Sequence, residues 1–202
     1  MIENPTEKDE IYLSNVKKIG NSIDNIQYIE NVLSEKDFTI VSDFIKNSKD
    51  WINMPWGSQC IEYNSMTNEI VQILEKVFTF VHEKSLKHYD VEINPVKIDS
   101  INILKFSEGF GLEPHIDTAS AEKNHIASIY YMNDNYEGGE IYFLDFDLLI
   151  KPKPNSVIIF PGNEGYLHGV NVVIDGDRIT SSMWFQFTGS TFNKQAEWYN
   201  KT

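Results

Sequence analysis

Two stretches of the chain repeat their apolar residues at helical spacing. Phe38, Val41, Phe44 and Ile45 fall on one face. Ser34, with Asp37 three residues on, supplies the side-chain oxygens that satisfy free N–H groups of a first turn. This helix is predicted to stop near Asn47 to Lys49. Met66, Ile70, Ile73, Leu74, Val77, Phe78 and Val81 make a second stripe. Both stripes are core faces and need no chemical explanation. Ahead of them, residues 1 to about 25 are polar and weakly patterned, a loose lead-in or an edge element. Ile26 to Leu33 reads as a first strand. Between the helices, Trp51 to Asn64 holds Pro55, Gly57 and two tryptophans and reads as an irregular, ordered loop.

From residue 91 the texture changes. Short β-rich runs cover Ser100–Phe106, His125–Met132, Glu140–Leu144, Ser156–Phe160, Leu167–Ile174 and Arg178–Phe187. Turn residues separate them: Ser107-Glu108-Gly109, Glu137-Gly138-Gly139, Pro161-Gly162 and Asp175-Gly176. The last lies between two alternating runs, a hairpin signal. Helices first and short antiparallel strands after predict a mainly β fold, a sandwich or small barrel with the N-terminal helices packed outside it. No repeat, low-complexity tract or linker divides the chain. One domain over 1–202 is expected, with 1–90 as strand and helical support and 91–190 as the β core.

Composition narrows the classes. Of 202 residues, 41% are hydrophobic, enough for one sizeable core. No apolar run is long enough to span a bilayer. The N-terminus has neither the basic start nor the apolar stretch of a secretory signal, so a cytoplasmic protein is expected. A lone cysteine, Cys60, fits a reducing compartment and reads as a small half-buried thiol. The net charge of −13 disfavours a nucleic-acid partner. The densest basic stretch, Lys84 to Lys97, is broken by Asp90 and Glu92.

His115 and Asp117 stand two apart in Pro114-His115-Ile116-Asp117. In an extended segment alternate residues share a face, so both side chains can reach one ion. Imidazole and carboxylate suit Fe(II), and a second histidine would complete a facial triad that leaves three positions open for a chelating co-substrate and O2. His82, His88, His125 and His168 are the candidates. His82 and His88 lie at or near the end of the second helix, where a solvated histidine is the ordinary explanation, and His125 opens a strand. His168, in Tyr166-Leu167-His168-Gly169-Val170, is the strongest.

Arg178 follows the Asp175-Gly176 turn. A hairpin there would place it on a strand paired with that of His168, deeper along the sheet than the metal. Guanidinium clamps a carboxylate with two parallel hydrogen bonds, and Thr180, two residues on, can add a hydroxyl. A dicarboxylate keto acid could chelate iron at one end while Arg178 holds the other. The competing reading is a surface arginine paired with Asp175 or Asp177.

The stretch from Ser100 to Phe187 resembles the 2-oxoglutarate/Fe(II) oxygenase superfamily, in particular its prolyl 4-hydroxylase branch. The matching text is Ile103-Leu104-Lys105-Phe106, Pro114-His115-Ile116-Asp117, Ile129-Tyr130-Tyr131-Met132-Asn133 leading to Gly138-Gly139-Glu140, Ile159-Phe160-Pro161, and Leu167-His168-Gly169-Val170 through Gly176-Asp177-Arg178 to Trp184. The resemblance implies a double-stranded β-helix, the jelly roll of cupin-like proteins, supported by N-terminal α-helices. It implies Fe(II) on His115, Asp117 and His168, with 2-oxoglutarate held by Arg178, Tyr131 and Thr180 and ascorbate as a further candidate cofactor. Beyond the metal ligands it implies no separate catalytic residue. The reaction it implies is hydroxylation of a C–H bond as 2-oxoglutarate becomes succinate and CO2. Asp117 separates the chain from halogenating relatives, which vacate that position. Two departures mark the pocket: Phe106 stands where the family often has a tyrosine, and Ala127 where a threonine is common. A prolyl 4-hydroxylase-like enzyme acting on a peptide or protein is the leading expectation, with the loop Trp51 to Asn64 and the turn Thr118–Asn124 bordering the entrance. Hydroxylation of a free amino acid or other small molecule, and a non-enzymatic metal-binding jelly roll, are the alternatives.

Overall fold

Helix α1, Glu35–Asn47, begins where its cap predicts. The Ser34 hydroxyl accepts the Asp37 N–H at 3.2 Å, and Glu35 and Asp37 face the positive end of the helix while Lys46 sits at the negative end. Helix α2, Asn68–Tyr89, is capped by Thr67 and stops at Asp90, which takes the left-handed conformation. It buries Ile70, Ile73, Leu74, Val77, Phe78 and Val81 as the stripe requires. This is a computed structural model that describes residues 19–90, 93–95, 101–117 and 125–187. The lead-in up to residue 18, Ser100, the turn Thr118–Asn124, the last part of the Lys84–Lys97 stretch and the side chain of His125 lie outside the described residues. Among those residues no helix is long and apolar enough to cross a membrane.

The strands are β1 (Gln27–Glu30), β2 (Ile52–Asn53), β3 (Gln59–Ile61), β4 (Ile93–Pro95), β5 (Ile103–Ser107), β6 (Leu112–His115), β7 (His125–Tyr131), β8 (Tyr136–Gly138), β9 (Ile141–Phe143), β10 (Leu148–Ile150), β11 (Ser156–Pro161), β12 (His168–Val170) and β13 (Val173–Phe187). They form two antiparallel sheets. The larger runs β1-β11-β7-β13-β5-β3-β2, with β4 and β8 also paired to β13, and the smaller runs β10-β9-β12-β6. The period-2 alternation of the larger sheet serves two cores. Ile126 and Tyr130, Val157 and Ile159, and Ile179, Met183 and Phe185 pack with the helices. Ala127 and Tyr131 of β7 and Ile158 and Phe160 of β11 instead meet Ile141 and Phe143 of the smaller sheet. The candidate chemistry lies on this second, inter-sheet side.

Two expectations are corrected. The stretch Trp51 to Asn64 is no irregular loop throughout: β2 and β3 form a hairpin in it, and β3 extends the larger sheet along β5. The predicted hairpin at Asp175-Gly176 is absent. β13 runs unbroken through both residues, pairing with β8 at Val173 to Gly176 and with β5 and β7 beyond. One extra residue on β13 between Val173 and Asp175 makes a bulge against β8. Gly176 does adopt a positive φ, 78°, as a turn glycine would. It uses that freedom to bend the strand past Asn135, whose carbonyl oxygen would lie 2.7 Å from any Cβ there. His168 and Arg178 therefore lie in different sheets.

Ser181 faces the helical core on β13, between Ile179 and Met183. It is fully buried, and its hydroxyl has no hydrogen-bond partner. An unpaired hydroxyl in apolar surroundings is costly, so Ser181→Ala is expected to raise unfolding stability by about 1 kcal/mol in chemical denaturation.

Candidate metal centre

His115 ends β6 and His168 opens β12, and the two stand directly opposite each other in the smaller sheet. Cross-strand neighbours on one face lie close, and here the imidazole centroids are 4.5 Å apart. Between this pair and the next, Val170 opposite Leu112, β6 advances three residues while β12 advances two. The extra residue is a bulge at Glu113–Pro114, a place where a proline without an N–H is tolerated. Asp117, two residues past His115, turns its carboxylate between the rings. One oxygen lies 3.9 Å from Nε2 of His115 and the other 3.9 Å from Nε2 of His168. One ligand atom from each of the three residues falls within 4.8 Å of the others.

Backbone carbonyls set which nitrogen each ring offers. His115 Nδ1 donates to Glu113 O at 2.8 Å and His168 Nδ1 to Tyr166 O at 3.0 Å. Both contacts leave Nε2 as a lone pair aimed at the shared space, the arrangement metal-binding histidines use. His168 is buried against the rings of Phe160, 4.6 Å away, and Phe143, 5.7 Å away. That burial pushes its pKa below the ordinary histidine value, with the nearby Asp117 carboxylate opposing the shift. The neutral, ligating form is thereby favoured. His115 is 38% exposed, so the cluster is walled on the His168 side and open on the His115 side. No residue larger than Gly169 fits beside His168, because a Cβ there would run into the Tyr142 hydroxyl and the Leu112 carbonyl oxygen. Of the other candidates, His88 lies in the last turn of α2 and His82 stacks on Phe185. Neither reaches the cluster.

Arg178 is 2% exposed and stands opposite Phe106 on β5. Its Nε donates to Gly139 O at 3.0 Å and its Nη2 to the Tyr131 hydroxyl at 3.2 Å. The rings of Tyr131 and Phe106 lie 5.0 and 5.3 Å from its Cζ. No carboxylate of the described residues pairs with it; Asp177 accepts a hydrogen bond from Ser107 instead. The surface ion-pair reading of Arg178 is thus excluded. A buried, unpaired guanidinium with N–H groups to spare calls for an anion. Burial raises the Tyr131 pKa to about 12, partly offset by Arg178, so its phenol stays a proton donor. Thr180, also buried, lies on the same face and pairs with Tyr131 across β7. The inter-sheet core joins the two halves. Tyr131 packs in one cluster with the Phe143 and Phe160 that wall His168, and Phe106 packs with Val170, two residues beyond it.

The sequence named all six of these side chains as candidates, and the structure places them along the one inter-sheet interior. Sequence reasoning missed the carbonyls of Glu113, Tyr166 and Gly139, because every residue carries one and only register decides which is used. It also missed Tyr136, buried beside Gly139 and Arg178. The motif containing Gly138-Gly139 was its one signal.

Comparison with known proteins bears on the same segment. Residues 101–186 match the family model described as the 2OG-Fe(II) oxygenase superfamily. Prolyl 3-hydroxylase 2 of Rattus norvegicus is 38% identical over 64 residues, which are 29% of this chain and 9% of that protein. The chain thus spans only a small part of that relative. A PKHD-type hydroxylase of Prochlorococcus marinus (strain MIT 9301) is 27% identical over 134 residues, 62% of this chain and 60% of the relative. Among solved structures, a prolyl hydroxylase of Trichoplax adhaerens, in complex with a hypoxia inducible factor oxygen degradation domain peptide fragment, superposes with a TM-score of 0.65 at 15% identity. The match covers 90% of this chain and 91% of that one. At that identity the likeness speaks for the fold.

Proposed function

We propose that this chain, whose residues 101–186 match the 2OG-Fe(II) oxygenase superfamily model, is an Fe(II)- and 2-oxoglutarate-dependent dioxygenase that hydroxylates a proline in a peptide or protein. The observation that carries the reading is one inter-sheet interior holding both a His-Asp-His cluster and a buried guanidinium with no carboxylate partner among the described residues. Two imidazoles and a carboxylate suit Fe(II) and leave coordination positions free. The unpaired Arg178 suits the far carboxylate of a dicarboxylic keto acid.

His115, Asp117 and His168 would hold the iron, and Arg178, Tyr131 and Thr180 the co-substrate. When bound, Fe(II) with 2-oxoglutarate supplies the oxygen chemistry that hydroxylates a C–H bond. The chain's own part is to bind, orient and exclude water. Phe143 and Phe160 keep solvent from the His168 side of the cluster, and Arg178 fixes the depth to which a keto acid enters. The open His115 side leaves a path for substrate.

We read the two sheets as a double-stranded β-helix and the chain as one domain, with 1–90 supporting a 91–190 core. The alternation of β7 and β13 between helical and inter-sheet faces supports this, as does the likeness to prolyl hydroxylase structures. The peptide substrate rests on the names of the relatives, prolyl hydroxylases on both the sequence and the structural side.

The test is turnover of labelled 2-oxoglutarate by the iron-loaded protein, with proline-containing peptides and with ascorbate present or omitted. Succinate release with a 16 Da gain on proline is expected. Succinate release without a proline mass shift, restored by a free amino acid, assigns the small-molecule reading. No decarboxylation under any condition overturns the enzyme.

A further inference from the structure

Tyr136 opens β8 and is 6% exposed; its buried phenolic oxygen faces the Arg178 guanidinium, which can only donate to it, and its own proton meets no acceptor among the described residues. Buried hydroxyls are rarely left unsatisfied, and this one, unlike Ser181 among apolar neighbours, stands beside a guanidinium that has no carboxylate among the described residues. The Tyr136 ring and the δ-methylene of Arg178 converge over Gly139, each within 3.0–3.1 Å of the point a Cβ would occupy. The same Gly139 carbonyl receives Arg178 Nε. Lys151 also holds the ring, with Nζ 4.3 Å from its centroid and hydrogen bonds to the carbonyls of Tyr136 and Gly138 at 3.0 and 2.8 Å. Phe106, packed in the same cluster, offers the guanidinium a ring face and no hydroxyl.

Two phenols thus flank Arg178. Tyr131 already accepts from its Nη2 and keeps its own proton to donate, and Tyr136 has its proton uncommitted. Burial raises the Tyr136 pKa and Arg178 lowers it, with burial dominant, so the group is a neutral donor at physiological pH. A carboxylate has about four lone-pair sites and takes donors from several directions.

We propose that the Tyr136 hydroxyl is a second phenolic donor to the distal carboxylate of the keto-acid co-substrate, beside Arg178 and Tyr131, and so a determinant of selection for a dicarboxylate. This rests on the reading of the site as a 2-oxoglutarate pocket.

The experiment measures calorimetric Kd values for the Mn(II)-loaded protein and its Tyr136→Phe variant. The two ligands are 2-oxoglutarate and 2-oxobutyrate, the latter a keto acid without the distal carboxylate. Losing one hydrogen bond to a charged group is expected to weaken 2-oxoglutarate about 10- to 100-fold and to leave 2-oxobutyrate and the thermal midpoint of the ligand-free protein unchanged. Equal weakening of both keto acids, or a lowered midpoint, assigns Tyr136 a packing role and overturns the proposal. An unchanged Kd for 2-oxoglutarate overturns it alone, with the pocket intact. A wild-type protein that binds neither keto acid overturns the pocket and this proposal together.

Discussion

Asp117→Ala is expected to abolish stable binding of Fe(II) or Mn(II), lowering affinity by more than about 100-fold. That exceeds the 10- to 100-fold typical of losing an outer-shell partner of a metal ligand. Among the described residues the carboxylate is the only oxygen donor in the cluster, and it stands 3.9 Å from each imidazole. Without it two histidines remain, one of them partly exposed, and they cannot hold a cation that prefers a mixed nitrogen and oxygen set. The fold should not notice. Asp117 sits in a bend just past β6, outside the three apolar clusters. Stability of the metal-free variant is expected to stay within about 0.5 kcal/mol of wild type, as for changes away from packed features. Metal titration by calorimetry, paired with a denaturation curve, separates the two effects. Unchanged metal affinity would refute the site.

Arg178→Met should uncouple ligand binding from stability. The guanidinium is buried, donates to Gly139 O and the Tyr131 hydroxyl, and has no counter-charge among the described residues. Were it a structural ion-pair member, its removal would cost about 3–5 kcal/mol. As an unpaired charge it is already a burden on the ligand-free fold. Methionine fills much of the same volume without the desolvation penalty, against which stand two lost hydrogen bonds of about 1 kcal/mol each. The net change in unfolding free energy without ligand is expected to be within about 1 kcal/mol. Affinity for 2-oxoglutarate, by contrast, should fall by about 2–5 kcal/mol, roughly 30- to several-thousand-fold, because the ligand's far carboxylate loses its charged partner. The checks are a denaturation curve without ligand and a 2-oxoglutarate titration of the Mn(II)-loaded variant. Retained affinity would show that the anion site lies elsewhere.

Much of this fold was legible because its signals are local. A hydroxyl at position 34 can cap only the turn that follows it, and the stripe from Ile70 to Val81 has one helical face to bury. The strand interiors were legible for the same reason, since alternation assigns residues such as Tyr130 and Tyr131 to opposite faces of β7. The Asp175-Gly176 reading failed because a glycine with positive φ serves a turn and a strand bend equally well. What separates the two is a second segment, here Asn135, lying against it. The β2–β3 hairpin was missed because each strand is only two or three residues long and gains its order from pairing with β5.

By itself the sequence determined the helices, the alternating strand faces, and the residue types able to bind a metal and an anion, because each depends on spacing within one element. Only the tertiary structure decided that His168 stands opposite His115, that Arg178 reaches the same interior from the other sheet with no counter-charge among the described residues, and that Tyr136 turns its hydroxyl toward it. Those relations join segments distant in the chain through strand register and sheet packing, and no pattern within one stretch of residues encodes them.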